Sequence, residues 1–389
     1  MTPTAPPTRI IALLLAISSL SVMANATISP SLPGLAAAFS GTPNIETLAG
    51  LVLALPSLSI ILTAALFGML LDRMAWKPVL LAALAVYALG GAAAALMGGM
   101  PGILASRIVL GLGVAAIMTT VSMLAAQLFE GPARDRFMGW QAGAMSAGGI
   151  VFILMGGALA EISWRGPFLA YLAALPFAVA ALLVFRPLPA RFNQVRADRV
   201  PFPKGAMALT GTLGFLTMAI FYLVPTKLPF HMEDLGITAP AAVAVAVAGL
   251  TLTATPGAVF FGAIRARLSA AAIFALSYTL MAVGYLIIAG ASGFAQVMIG
   301  TLVAGAGLGP TMPNIMAVLM AKVPPTARGR AAGFATTTFF AGQFAAPLFA
   351  GIVAGPFGLA MTFVAFAVAL LIIATLAVLA GMRNRAVAA

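Results

Sequence analysis

Groups able to do acid–base, metal or covalent chemistry are scarce in this 389-residue chain: one histidine, no cysteine and eight carboxylates. Structural and catalytic metal sites need clustered His, Cys or carboxylate ligands, and acid–base dyads need paired titratable groups. Neither spacing occurs, so no metal, no cofactor and no enzymatic activity are expected. The polar groups that remain stand singly in apolar stretches. Arg107, Lys227 and His231 are the ionisable ones, while Glu46, Glu161, Glu233 and Asp234 fall at stretch ends. A guanidinium in hydrocarbon must face water, a carbonyl or an anion, so Arg107 is either a ligand contact or a brace on neighbouring helix backbones. Lys227 is either a pathway cation or a side chain reaching to headgroups. Asn25, Tyr222, Asn314 and Gln343 each offer an amide or phenol, for a substrate or for a bond between helices.

The elements that must position these groups are read from gaps between charges. No Asp, Glu, Lys or Arg occurs from Ile10 to Ile45, Thr47 to Leu71, Leu235 to Ile264 or Ala331 to Met382, among others. A hydrocarbon core of about 30 Å needs roughly 20 apolar residues in helix. Breaks at Gly98, Gly99 and Pro101, at Gly290 to Gly293, and at Gly355, Pro356 and Gly358 divide the longest runs. Twelve spans result. Of the 20 Lys and Arg residues, 17 then fall on one side and only Arg165 in a loop on the other. Basic residues resist translocation, which places both termini in the cytoplasm of a multi-pass inner (plasma) membrane protein. The net charge of +12 is therefore topological, and nucleic acid is not an expected partner. The rival reading of the first span is a cleaved signal peptide ending at Ala24, Asn25, Ala26, which would leave eleven spans.

Sliding the chain on itself by 194 residues aligns Gly68 with Gly262, Arg73 with Arg267, and Gly111 and Gly113 with Gly305 and Gly307. It also aligns Arg134 with Arg328, Gly148 with Gly342 and Gly157 with Gly351. A fixed offset that pairs loop arginines as well as glycines indicates a duplicated six-helix unit. The expected organisation is a bundle at 1–185, a basic cytoplasmic linker at 186–205 and a second bundle at 206–389.

Two six-helix halves with a cytoplasmic linker resemble the major facilitator superfamily. The loop GMLLDRMAWK, with Gly68, Asp72, Arg73 and Lys77, is similar to that family's Gly-x-Leu-x-Asp-Arg-x-Gly-Arg-Lys signature, with Ala75 and Trp76 in place of Gly and Arg. The resemblance implies a cytoplasmic gate in which Asp72 contacts the eleventh span and Arg134, with Gly68 allowing close helix approach. Asn25 to Pro33 resembles the family's first-helix pattern. Arg107, Gly111 and Gly113 resemble its Arg-x-x-x-Gly-x-Gly element, with Leu110 for the common Gln. In the fifth span Gly148, Gly156 and Gly157 keep the flanking glycines of the drug:proton antiporter-like branch, but Phe152 and Ile153 replace its central Gly-Pro. Gly342 is the counterpart in the eleventh span. Trp164, Arg165 and Phe168 resemble that branch's Trp-Arg-x-x-Phe segment.

The expected fold is an all-α integral membrane protein of twelve transmembrane helices in two pseudo-symmetric six-helix bundles. The expected function is secondary transport of a small organic or amphipathic molecule, in the export direction, with protons as a coupling ion carried by His231, Glu161, Glu233 or Asp234. Its partners are the substrate and the bilayer, and the chain is expected to act as a monomer. One alternative is import of a small organic anion bound by Arg107 and Lys227. Another is a membrane sensor without turnover. Single cysteines placed at Arg134 and Arg328 in this cysteine-free chain should label from the cytoplasmic side only, and one at Ser163 from the outer side. Labelling of the two arginine positions from opposite sides would end the twelve-span reading.

Overall fold

The computed structural model describes residues 7–185, 204–324 and 327–388. Most of the expected linker, with Arg186, Arg191, Arg196 and Arg199, lies outside the described residues. The chain divides into two compact units, Met1–Val195 and Arg196–Ala389. Among the described residues the structure is helical, without strands.

The first unit contains α1 (Thr8–Ala38), α2 (Ile45–Leu71), α3 (Trp76–Leu96), α4 (Met100–Leu128), α5 (Gly131–Ile162) and α6 (Gly166–Val184). α4 packs on α2 and α3, α1 on α5, and α3 on α6. The second unit contains α7 (Lys204–Asp234), α8 (Pro240–Val259) with a short continuation at Phe261–Arg267, α9 (Ala270–Ala289) and α10 (Phe294–Lys322). The helical run Arg328–Ala388 follows, and Gly358 breaks it with φ 80° and ψ 174°. That backbone region is essentially confined to glycine, so the run is two helices, α11 (328–357) and α12 (359–388). The expected break at Gly355, Pro356 and Gly358 therefore occurs at its last residue. Large apolar side chains such as Leu62, Ile162, Leu183 and Ile352 stand exposed on the helices, a surface suited to lipid and not to water.

Within each unit the packing repeats at the 194-residue offset. A Cβ built on Gly111 would stand 2.7 Å from the Pro56 carbonyl oxygen and against Ser59, and one on Gly305 would strike the Leu250 carbonyl and Thr253. Ser59 Oγ donates to the Ile108 carbonyl at 3.1 Å, and Thr253 Oγ1 donates to the Leu302 carbonyl at 2.8 Å. Gly113 lies against Ala83 and Tyr87, Gly307 against Ser277 and Met281. Gly90 approaches the Leu110 amide nitrogen and Gly284 that of Ala304. In lipid no hydrophobic force drives helices together, so close backbone approach and dispersion must do it, and these glycines permit both.

The other singled-out glycines behave alike, with one exception. Gly148 faces Ser19 of α1, Gly156 the Thr27 carbonyl with Gly157 buried beside it, and Gly342 the backbone of Phe215 and Ala219 on α7. At Gly68 a Cβ would meet no described atom within 4 Å, so the close approach expected there is not what the structure shows. Opposite signs should follow in thermal unfolding. Gly305→Ala should destabilise by about 1–3 kcal/mol through overpacking. Gly68→Ala should stabilise by up to about 1 kcal/mol through helix propensity. Equal effects would refute the packing assignment.

Candidate functional site

In the first unit the polar centre is Arg107 on α4, which is fully buried. Its surroundings follow from a proline in α2 and from the end of the regular helix in α1. Pro56 inside α2 has no N–H, so the carbonyl of Val52, four residues earlier, loses its helical donor. Arg107 Nε donates to that oxygen at 2.9 Å. The regular part of α1 ends at Ala26, ahead of the 3-10 turn Ser29–Ser31 that contains Pro30. There Arg107 Nη2 donates to the Ala24 carbonyl at 2.5 Å, and the Tyr171 hydroxyl donates to the same oxygen at 2.9 Å. Arg107 Nη2 also reaches the Tyr171 hydroxyl at 3.1 Å, with the guanidinium carbon 4.9 Å from the phenol ring centre. Tyr87 of α3 packs edge-on to Tyr171 at 5.7 Å and donates to the Leu20 carbonyl at 2.7 Å. One guanidinium thus joins α4 to α1, α2 and α6. Its Nη1, and Oδ1 of half-buried Asn25 beside Ala24, have no hydrogen-bond partner.

The 194-residue offset explains why the second unit has no such arginine. Val52, Pro56 and Arg107 correspond to Ala246, Leu250 and Thr301. Leu250 supplies the N–H that Pro56 lacks, so no carbonyl needs an outside donor at that place. Thr301 turns its hydroxyl to its own helix, on the Met298 carbonyl at 2.9 Å.

The second unit instead concentrates its irregularity in α7. The helix breaks at Tyr222, between the segments Lys204–Phe221 and Leu223–Asp234, just ahead of Pro225 and Pro229. The Tyr222 carbonyl is held by Thr226, from Oγ1 at 2.5 Å and from N at 3.2 Å. Tyr285 of α9 donates to the Ile220 carbonyl at 2.7 Å, a bond of the same kind as that of Tyr87 to α1, made from a position one turn away from the offset equivalent of Tyr87, Met281. Gln343 of α11 reaches Met218 Sδ at 3.6 Å, and the Tyr222 amide bonds the Met218 carbonyl, so Gln343 and Tyr222 share one neighbourhood. Lys227 is 1% exposed with Nζ 5.6 Å from the Phe230 ring centre, which removes the alternative of a side chain reaching to headgroups.

Asn314 is fully buried, but elsewhere. Its Nδ2 donates to the Ala270 carbonyl at 2.9 Å at the start of α9, while Oδ1 has no partner. Ala270 and Tyr285 are separated by about 22 Å along α9 at 1.5 Å per residue, so Asn314 does not join the Tyr222 group. His231 Nε2 bonds the Ile288 carbonyl at 2.9 Å and therefore carries the proton, because a carbonyl only accepts. Its ring lies 5.5 Å from Phe363, and Nδ1 has no partner. Glu161, Glu233 and Asp234 are exposed at helix ends.

The loop groups separate too. Asp72, Arg73 and Arg134 are exposed, and among the described residues no ion pair joins Asp72 to Arg134. Lys77 turns to its own bundle and caps the orphan carbonyls ending α6, Leu182 at 2.8 Å and Phe185 at 2.5 Å. The Trp-Arg-x-x-Phe segment is a staple on the first helix: Trp164 packs edge-on to Phe39 at 5.7 Å and to Phe168 at 6.3 Å, with Arg165 over its ring. Sequence reasoning missed the three tyrosine donors and the capping role of Lys77. The proline four residues after Val52 was the available signal for Arg107.

A family model described as Major Facilitator Superfamily matches residues 14–238 and 209–388. No curated protein matches the sequence. A solved bacterial homolog of the human lysosomal transporter Spinster, inward-facing and occupied, is 16% identical, with 96% of this chain and 97% of that one covered and a TM-score of 0.80. A D-xylose-proton symporter is 17% identical over 95% and 97%, TM-score 0.79. The human organic anion transporter MFSD10 is 18% identical over 96% and 100%, TM-score 0.67. At such identities the likeness establishes the fold.

The pairing of Pro56 with Arg107 is open to a double-mutant cycle. Arg107→Thr alone should cost about 1–3 kcal/mol, because the Val52 carbonyl is left buried without a donor. In a Pro56→Leu background, which restores an N–H as at Leu250, the same change should cost less than roughly half as much. Thermal unfolding of the four purified proteins gives both losses. An undiminished loss would mean that Arg107 braces something other than α2.

Proposed function

We propose that this chain, which belongs to the major facilitator superfamily, is a secondary active transporter that exports a small, uncharged or anionic amphipathic molecule by alternating access. The charge of the buried polar groups carries this reading. Arg107 and Lys227 are buried cations, and Asn25, Tyr222, Asn314 and Gln343 are neutral. All the acidic residues with described side chains, Glu46, Asp72, Glu130, Glu161, Glu233 and Asp234, are exposed. A polycation entering from either side would lose hydration and meet only like charge or neutral dipoles.

In this reading Tyr222 and Gln343 contact the substrate, since both stand where α7 is already broken and its backbone can change shape. Asn25 and Asn314 each keep a free amide oxygen to offer. Arg107 positions the helices around the pathway in the first bundle. Asp72, Arg73 and Arg134 are free to serve the cytoplasmic gate, and Lys77 fixes the loop that carries them. Protons are the coupling ion, taken up at His231, Glu161, Glu233 or Asp234 or carried by the substrate itself. Export rests on the Asp72 loop, which resembles the superfamily's signature, and on the Trp164, Arg165 and Phe168 segment, which resembles that of the exporting branch. The proposed location is the inner (plasma) membrane, with both termini cytoplasmic and the chain acting as a monomer. The second reading is import of a small organic anion, which the burial of Lys227 favours.

Counterflow in proteoliposomes, run with a panel of uncharged aromatic compounds, organic anions and polyamines, tests the proposal. Uncharged or anionic amphiphiles should exchange and polyamines should not. Tyr222→Phe and Gln343→Leu should each lower flux about tenfold, the loss of one buried hydrogen bond of roughly 1.4 kcal/mol, with unfolding temperature unchanged. Exchange confined to small organic anions would select the importer reading. Absence of exchange with every class would leave a sensor.

A further inference from the structure

The 194-residue offset locates one place where the two units hold different things. At the start of α3 stand Trp76 and Lys77. The Trp76 ring packs edge-on to Phe185 at 5.3 Å, and Lys77 caps the end of α6. The corresponding positions at the start of α9 are Ala270 and Ala271. An indole and a lysine are thus replaced by two methyl groups. There a cavity of about 590 Å³ opens between α7, α9, α10 and α12, walled by Leu213, Phe274, Tyr278, Val318 and Ile373 among others. That size falls within the roughly 300–1,000 Å³ of ligand sites.

The lining is apolar, but two of its members are cations. Arg265, on the continuation of α8, spends one N–H on the Leu268 carbonyl at 3.0 Å. Lys322, in the last turn of α10, is exposed, and its ammonium has no partner among the described residues. The first turn of α9 adds its N-terminal amides, of which the Ser269 hydroxyl takes only that of Ala272. Cations beside a greasy cavity match an anionic headgroup attached to hydrocarbon.

We propose that this cavity binds one membrane phospholipid with an anionic headgroup. Its phosphate meets Arg265, Lys322 and the α9 amides, and its acyl chain fills the space that Trp76 fills in the first unit. The lipid closes the second bundle as Trp76 and Lys77 close the first. The site does not depend on transport, and its test reads no flux.

The test is thermal unfolding of the purified full chain in a neutral detergent, with phosphatidylglycerol, phosphatidylcholine or glycerol 3-phosphate added. Phosphatidylglycerol should raise Tm by at least about 3 °C, because a ligand of the folded state stabilises it by mass action. Phosphatidylcholine and glycerol 3-phosphate should give less than about a third of that shift. Two variants should each abolish most of the phosphatidylglycerol shift: Ala270→Trp, which restores the plug of the first unit, and the pair Arg265→Gln with Lys322→Gln. If Ala270→Trp fails to fold, the charge pair decides. A full shift retained in the charge pair places the lipid elsewhere and overturns the proposal. An equal shift with phosphatidylcholine overturns the headgroup assignment, and one with glycerol 3-phosphate overturns the role of the acyl chain.

Discussion

Where a helix is interrupted by proline or breaks, its backbone carbonyls have no water to turn to in hydrocarbon, and buried side-chain donors of this protein gather at such places. Val52, which Pro56 leaves without its helical donor, is answered by Arg107, and at the break in α7 the Tyr222 carbonyl takes the Thr226 hydroxyl in addition to the Thr226 N–H. Around the broken ends of α1 and α7, Tyr87, Tyr171 and Tyr285 supply hydroxyls to Leu20, Ala24 and Ile220. Each donor sits on a different helix from the carbonyl it serves, Thr226 excepted. Satisfying the backbone therefore also cross-links the bundle, and irregular helices become compatible with a unique packing.

The remaining adhesion is steric. The glycine contacts of α4 on α2 and α3 recur in α10 on α8 and α9, residue for residue, down to the Ser59 and Thr253 hydroxyl bonds. Such contacts tolerate little drift, because a single methyl group would enter a backbone oxygen. That intolerance explains why the duplication survives as glycine positions when most other residues have diverged.

The same physics decides what was readable beforehand. Span positions, the duplication and the break in α7 follow from composition, charge and proline, which act locally and leave marks in the sequence. Direction does not. Arg107 could have faced an anion or a carbonyl, and only the proline in a different helix tells which. Gly68 sits in a motif that implies close packing, yet a glycine looks the same in sequence whether or not another backbone approaches it, and here a Cβ would meet open space. Lys77 resembled a gate cation and proved a cap, because the end of α6 that needs it is a hundred residues away in sequence.

Comparing the halves position by position turns that limitation into a tool. Where both keep the same contact, as at Gly111 and Gly305, the residue serves the scaffold. Where they part, the change comes in physically matched sets. Pro56 goes with Arg107, and Leu250 with Thr301. The bulky pair Trp76 and Lys77 goes with a capped helix end, and the pair Ala270 and Ala271 with an open cavity beside two cations. At Val52 the carbonyl that Pro56 leaves without its helical donor is met by Arg107, and where Leu250 restores the N–H the arginine is replaced by Thr301. Divergence in this duplicated membrane bundle is for that reason not free at each site.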